Sequence, residues 1–160
     1  MPEQNNYIEV MFKSLRKKVL VLDGLIERCE EQADIIQESE IDWDAFDVNV
    51  SEKQALIDEL VQLDEGFEKV YKRVKTDLTD HKEQYRDEIG EMQELITLIT
   101  DKSVRIQADE ERNRRIIEKS LTAVKKDIRA SRTSVKAASD YYKSMSRVNY
   151  VDPQFMDRKK

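Results

Sequence analysis

The chain has 160 residues, with 28 Lys and Arg against 34 Asp and Glu, giving a net charge of −6. Charged and apolar residues each make up 39%, and the apolar share falls below the roughly 45–50% of an ordinary globular chain. A thin core along an elongated body is therefore expected. Pro2 and Pro153 leave residues 3–152 free of proline, and there are three glycines, too few turn formers for a β-sandwich or a loop-rich enzyme.

The first predicted helix runs over about 6–38. Ile8, Met11, Leu15, Val19, Leu22, Ile26, Cys29, Ala33 and Ile36 recur at steps of three and four, which places them on one face. Gly24 sits inside this run and costs about 1 kcal/mol relative to Ala. Lys13, Arg16, Lys17 and Lys18 read as a solvated helix face, with contact to a membrane surface as the alternative. Cys29 is the one cysteine, so no intrachain disulfide forms, and it reads as a small buried apolar residue in a reducing compartment. The N-terminus lacks a basic start followed by an apolar stretch and does not read as a signal peptide. The Val19–Leu22 run is far shorter than the roughly 20 residues that cross a bilayer. A cytoplasmic protein without stable membrane insertion is expected.

Ser39 to Val50 reads as an acidic connection whose Trp43 and Phe46 fold onto a bundle end, with a one-turn helix over Asp42–Phe46 possible. Ser51-Glu52-Lys53-Gln54 has the spacing of a capping box and predicts a second helix over 51–76. Leu56, Leu60, Leu63, Phe67, Val70 and Val74 form its stripe, with Ile57 and Tyr71 on the flank. Gly66 is either a close helix approach or a surface glycine. Thr76, Asp77 and Thr79 favour a turn near 77–84, although helical spacing continues through Tyr85.

The third helix is expected over 80–145 as the longest element. Ile89, Met92, Ile96, Ile99 and Ile106 begin its stripe, which turns polar through Glu110 and Asn113. It resumes at Ile117, Leu121, Val124, Ile128, Val135, Ala138, Tyr142 and Met145 in the heptad rhythm of a helix that meets another helix. Residues 146–160 read as an extended tail. The fold class is thus all-α: an elongated antiparallel bundle of about three long helices in a single domain over 1–145. Antiparallel order would bring Trp43 near Ile106. The second half of the third helix would overhang the other two, its apolar stripe needing a cover.

Chemistry is sparse. Gly24, Gly66 and Gly90 are too far apart for a phosphate-binding loop. His81 is the lone histidine, and Leu78 stands where a di-iron motif needs Glu. Zinc needs more Cys and His than Cys29 and His81 supply. The carboxylates read as solvated helix surface. No catalytic residue, metal or cofactor is expected. Residues 1–114 carry a balance of −13 and residues 115–160 one of +7. The basic C-terminal part has no aromatic platform or Arg cluster, which argues against nucleic acid and for an acidic protein partner or the acidic part of the chain itself.

The order of parts resembles the FlgN family of flagellar export chaperones. Glu52-Lys53-Gln54-Ala55-Leu56-Ile57-Asp58-Glu59-Leu60 is similar to the family's Glu-Lys-x-x-Leu-x-x-x-Leu stretch. Glu111-Arg112-Asn113-Arg114 resembles its Glu-x-Asn segment ahead of the C-terminal amphipathic helix. Tyr141-Tyr142 with the ending Phe155-Met156-Asp157-Arg158-Lys159-Lys160 resembles Gram-positive members. The resemblance implies a non-enzymatic cytoplasmic chaperone that holds hook-associated subunits, prevents premature assembly and delivers them to the export machinery. It places client binding at Ile117, Leu121, Val124, Ile128, Val135, Tyr142 and Met145, with Ser131 and Arg132 interrupting the stripe. The other reading is a coiled-coil scaffold that self-associates through the same C-terminal helix.

Overall fold

The computed structural model describes the backbone of residues 2–123 and 128–145 and the side chains of residues 6–122 and 136–145. Four helices account for nearly all of it: α1 (Pro2–Gln37), α2 (Trp43–Asp80), α3 (Arg86–Ala123) and α4 (Ile128–Met145). No strand occurs among the described residues. The expected tail over 146–160 lies outside them.

Helix α2 starts eight residues before the predicted capping box. Its N-cap is Asp42, whose carboxylate accepts a hydrogen bond from the Ala45 N–H at 3.1 Å. Asp44 adds a favourable charge in the first turn. Ile41 and Phe46 occupy the N′ and N4 positions of a hydrophobic staple; Phe46 is fully buried, and Trp43 meets its ring edge-on at 5.3 Å. Ser51, the expected cap, is an exposed residue inside the helix. The connection after α1 is therefore residues 38–42, much shorter than the sequence suggested.

The turn between α2 and α3 falls where the sequence places it. The His81 N–H donates to the Asp77 carbonyl at 2.9 Å and closes α2. Tyr85 is buried, and its hydroxyl donates to the Asp77 carboxylate at 2.9 Å, tying the start of α3 to the end of α2.

The side-chain pairs fix direction. Tyr7–Arg73, Lys18–Asp64, Arg28–Glu52 and Gln32–Asn49 show residue numbers rising on α1 as they fall on α2. Asp23–Lys102 and Cys29–Glu110 rise together, so α1 and α3 run parallel. Lys53 on α2 meets Glu110 on α3. Moving back from Lys53 to Trp43 advances the level on α3 by roughly ten residues, to about residue 120, since both helices rise about 1.5 Å per residue. The expected meeting of Trp43 with Ile106 is thus displaced, because α2 has 38 residues where a helix over 51–76 was expected.

The predicted helix over 80–145 is two helices, and the C-terminal one is the shortest, at 18 residues. Tyr141 lies 31 residues beyond Glu110, which would be about 47 Å along a straight helix. Its hydroxyl nevertheless sits 2.7 Å from the Glu110 carboxylate, so the chain reverses between α3 and α4. The overhang does not exist. The physical reason is burial: the return places Ala138 and Tyr141 in the core and sets α4 against α2.

The buried face of α2 is also rotated from its expected position. Ile57, Leu60, Phe67, Tyr71, Val74 and Leu78 are buried, while Leu56, Leu63 and Val70 are half-buried. Gly24, not Gly66, marks the approach of α1 to α2: a β-carbon there would meet the Leu56 side chain at 3.4 Å, whereas Gly66 faces open space.

Replacing Asp42 by Ala is expected to lower unfolding free energy by about 1 kcal/mol, while Ser51→Ala leaves it nearly unchanged. Urea denaturation of the two variants checks this; the reverse order would move the helix start to Ser51.

Candidate functional site

The expected client-binding residues divide into three groups. Ile117 on α3 is buried at 2% exposure. Leu121, Tyr142 and Met145 are half-buried and pack against the core. Val124, Ile128 and Val135 have side chains outside the described residues. A groove of about 480 Å³ lies between α3 and α4, lined by Arg114, Ile117, Glu118 and Leu121 from one helix and Ala138, Ser139, Tyr142 and Lys143 from the other. Its floor is apolar and its rim charged, with Arg114 paired to Glu118 at 3.0 Å. The structure thus brings Ile117, Leu121 and Tyr142 around one cavity on two antiparallel helices, where the sequence suggested a single continuous stripe.

Beside this groove lies a buried polar cluster to which all four helices contribute. Glu110 on α3 is 2% exposed and Lys53 on α2 fully buried, with Lys53 Nζ 2.5 Å from Glu110 Oε1. The same oxygen accepts from the Cys29 thiol of α1 at 2.8 Å and from the Tyr141 hydroxyl of α4 at 2.7 Å. Lys53 also donates to Gln32 Oε1 at 3.1 Å, and its ammonium sits 4.4 Å from the centre of the Tyr141 ring. Gln32 donates to Asn49 at 3.1 Å; Asn49 donates to the Arg28 carbonyl at 2.9 Å; Asn113 donates to the Cys29 carbonyl at 3.1 Å. Backbone carbonyls therefore share the load with side chains. Glu110 Oε2, Asn113 Oδ1 and the Tyr142 hydroxyl are buried and have no hydrogen-bond partner among the described residues.

The titrations of Cys29 and Tyr142 are displaced by this cluster. Burial, then the charge of Glu110, push the Cys29 thiol far above its ordinary range, against the opposing pull of Lys53. Burial and the Glu110 charge likewise raise the Tyr142 hydroxyl, with Arg114 opposing. Cys29 is thus buried as expected, yet it is a hydrogen-bond donor as well as a small apolar filler. Among the described residues no group of three or more His, Cys, Asp or Glu is placed to hold a metal ion, and no helix is long and apolar enough to cross a membrane.

Sequence reasoning placed Glu110 and Asn113 on the stripe as a polar stretch, read the carboxylates in general as solvated surface, and missed the cluster. A signal was present. Phe46, Val50, Lys53, Ile57 and Leu60 follow alternating steps of four and three, as do Ile106, Glu110, Asn113 and Ile117. Cys29, Gln32 and Ile36 do the same on α1. Polar residues at several such core positions point to partners inside a bundle rather than to breaks in the stripe. The motif noted ahead of the C-terminal helix also divides: Glu111 is exposed, whereas Asn113 is buried.

Two outcomes follow from this geometry. Lys53→Met leaves Glu110 charged and unpaired in the core and is expected to cost about 3–5 kcal/mol in urea denaturation. The double change Lys53→Met with Glu110→Leu is expected to be much milder, because no buried charge remains. In a second measurement, Cys29 is expected to react with a thiol reagent at neutral pH only as the protein unfolds, since the thiolate is the nucleophile and this thiol stays protonated and buried. Fast modification of the folded protein would contradict that placement.

No curated protein and no solved structure matches the chain. The family model described as FlgN protein matches residues 1–147, which include the whole of the bundle and the groove. Family members are chaperones and not enzymes. The chain belongs to the FlgN family of flagellar export chaperones.

Proposed function

We propose that the chain binds hook-associated subunits in the cytoplasm, keeps them from assembling early and delivers them to the flagellar export machinery. Residues 1–145 act as one helical chaperone domain in this reading. The observation that carries it is the apolar groove between α3 and α4, lined by Ile117, Leu121 and Tyr142 within a matched FlgN-family chain. A partner helix laid along the groove adds a further helix beside α3 and α4 and buries the half-exposed Leu121, Tyr142 and Met145. Val124, Ile128 and Val135 belong to the client-binding set in this proposal. Ile117 acts differently: it is already packed, and it forms the floor that a client helix rests on.

The competing reading, self-association through the C-terminal helix, uses the same surface. One experiment separates them. Leu121→Asp places a carboxylate on the groove wall, and a client helix would have to desolvate it. Affinity for a purified hook-associated subunit, measured by calorimetry, is expected to fall at least about tenfold, because an aliphatic contact worth roughly 1.5–3 kcal/mol is also lost. Melting temperature should change little, since the residue is only half-buried. A variant that changes mass in light scattering, yet has the parent's client affinity, would assign the groove to self-association instead.

A further inference from the structure

We infer that the outward face of α1 is a docking surface for an anionic lipid bilayer. Residues 10–22 contain four basic side chains and no acid. Lys18 turns inward to Asp64 at 2.6 Å. The other three, Lys13, Arg16 and Lys17, lie on the exposed face. Lys13 and Lys17 are 72% and 62% exposed, and Arg16 stacks over the Phe12 ring at 5.1 Å. Two of the chain's exposed large apolar residues flank and interleave with them: Val10 at 44% exposure and Leu20 at 69%. At about 100° per residue, Val10, Lys13, Arg16, Lys17 and Leu20 fall within an arc of about 120°, over about 15 Å of helix.

Each part of this face matches one property of a membrane surface. The basic groups meet anionic headgroups, and Leu20 and Val10 reach the acyl boundary between them. The exposed side chains of this patch belong to one helix, which suits a flat, deformable surface better than a partner helix seated in a groove. The nearby acids hold the cations loosely. Glu9 is 3.7 Å from Lys13, and Glu59 is 3.4 Å from Lys17, both at solvent-exposed positions. On α2, Arg73 donates to the Tyr7 hydroxyl of α1 at 3.1 Å, and Lys69, Lys72, Glu65 and Glu68 are exposed. Helix α3 runs beside α1 and carries Asp87, Glu88, Glu91, Glu94 and Asp101, while α1 itself has no acid between Glu9 and Asp23. This surface is separate from the α3–α4 groove, so it stands whether or not the groove holds a client.

The test is co-sedimentation of the full chain with vesicles of phosphatidylcholine mixed with phosphatidylserine, compared with phosphatidylcholine alone. Binding is expected to the anionic vesicles, weakening as salt is raised. Changing Lys13, Arg16 and Lys17 together to Gln is expected to lower it at least about tenfold, because juxtaposed basic residues each contribute to attraction by anionic headgroups. Changing Arg112, Arg115 and Lys119 to Gln alters net charge by the same amount on α3 and is expected to leave binding unchanged. Leu20→Ser should reduce it several-fold with charge untouched. All exchanged side chains are exposed, so circular dichroism should show unaltered helix. Equal partition to both vesicle types, equal loss in both triple variants, or capture of poly-glutamate with no vesicle binding would each overturn the inference.

Discussion

Glu110 brings a carboxylate into the place where four helices meet, and the arrangement of the rest follows from how that charge is answered. Removing a carboxylate from water costs several kcal/mol unless an opposite charge and hydrogen bonds replace the lost hydration. Lys53 supplies the charge, and Cys29 and Tyr141 supply hydrogen bonds to the same oxygen. These groups come from α2, α1 and α4, while Glu110 itself is on α3. A slip along α2 by one core layer would set Glu110 against Val50 or Ile57, both buried and apolar. The ion pair therefore adds less to net stability than to the choice of register, because every alternative register leaves a buried charge unanswered.

The same contact determines what the C-terminal helix does. Without the hydrogen bond from Tyr141 and the stacking of its ring near Lys53, little beyond apolar burial would direct α4 back onto the bundle. With them, α4 lies against α2 and faces the last turns of α3. The groove is the space left between α3 and α4 once Tyr141 has been seated. Tyr142, next in sequence, meets the Tyr141 ring edge-on at 5.3 Å and forms the groove wall. The core cluster and the proposed client surface are thus joined through two adjacent tyrosines. In a chaperone of the FlgN family this coupling gives a groove whose shape is set by the buried core of the bundle.

Electrostatics are organised by helix rather than by the overall charge of −6. Cross-helix pairs such as Lys102–Asp23 and Arg105–Glu30 line the α1–α3 seam at 2.5 Å each. Those pairs are solvent-accessible and contribute little to stability individually. On α1 the exposed cations Lys13, Arg16 and Lys17 are confined to the first half of the helix, and exposed Glu27, Glu30, Glu31 and Asp34 occupy the second half.

Helical class was legible in the sequence because proline is confined to positions 2 and 153 and because apolar residues recur at three and four. The turn near Asp80 was legible through the poor helix formers Thr76, Asp77 and Thr79, although helical spacing continued through Tyr85, whose bond to Asp77 only the structure shows. The start of α2 was legible as well, in the Ile41-Asp42 and Phe46 pattern, but Ser51 offered a second cap of the same chemistry, and local signals could not rank the two. Burial ranked them: starting at Asp42 puts Phe46, Asn49 and Val50 into the core. Of the proposed site, periodicity gave Ile117, Leu121 and Tyr142 as apolar helix positions, while it could not show that they belong to two helices facing each other. Heptad spacing is the same whether a stripe continues along one helix or resumes on the next after a reversal. Only the tertiary structure decided that, because the reversal is favoured by contacts between residues far apart in sequence, above all Tyr141 with Glu110 and Lys53, and polar residues at core positions signal buried partners without telling which helix supplies them.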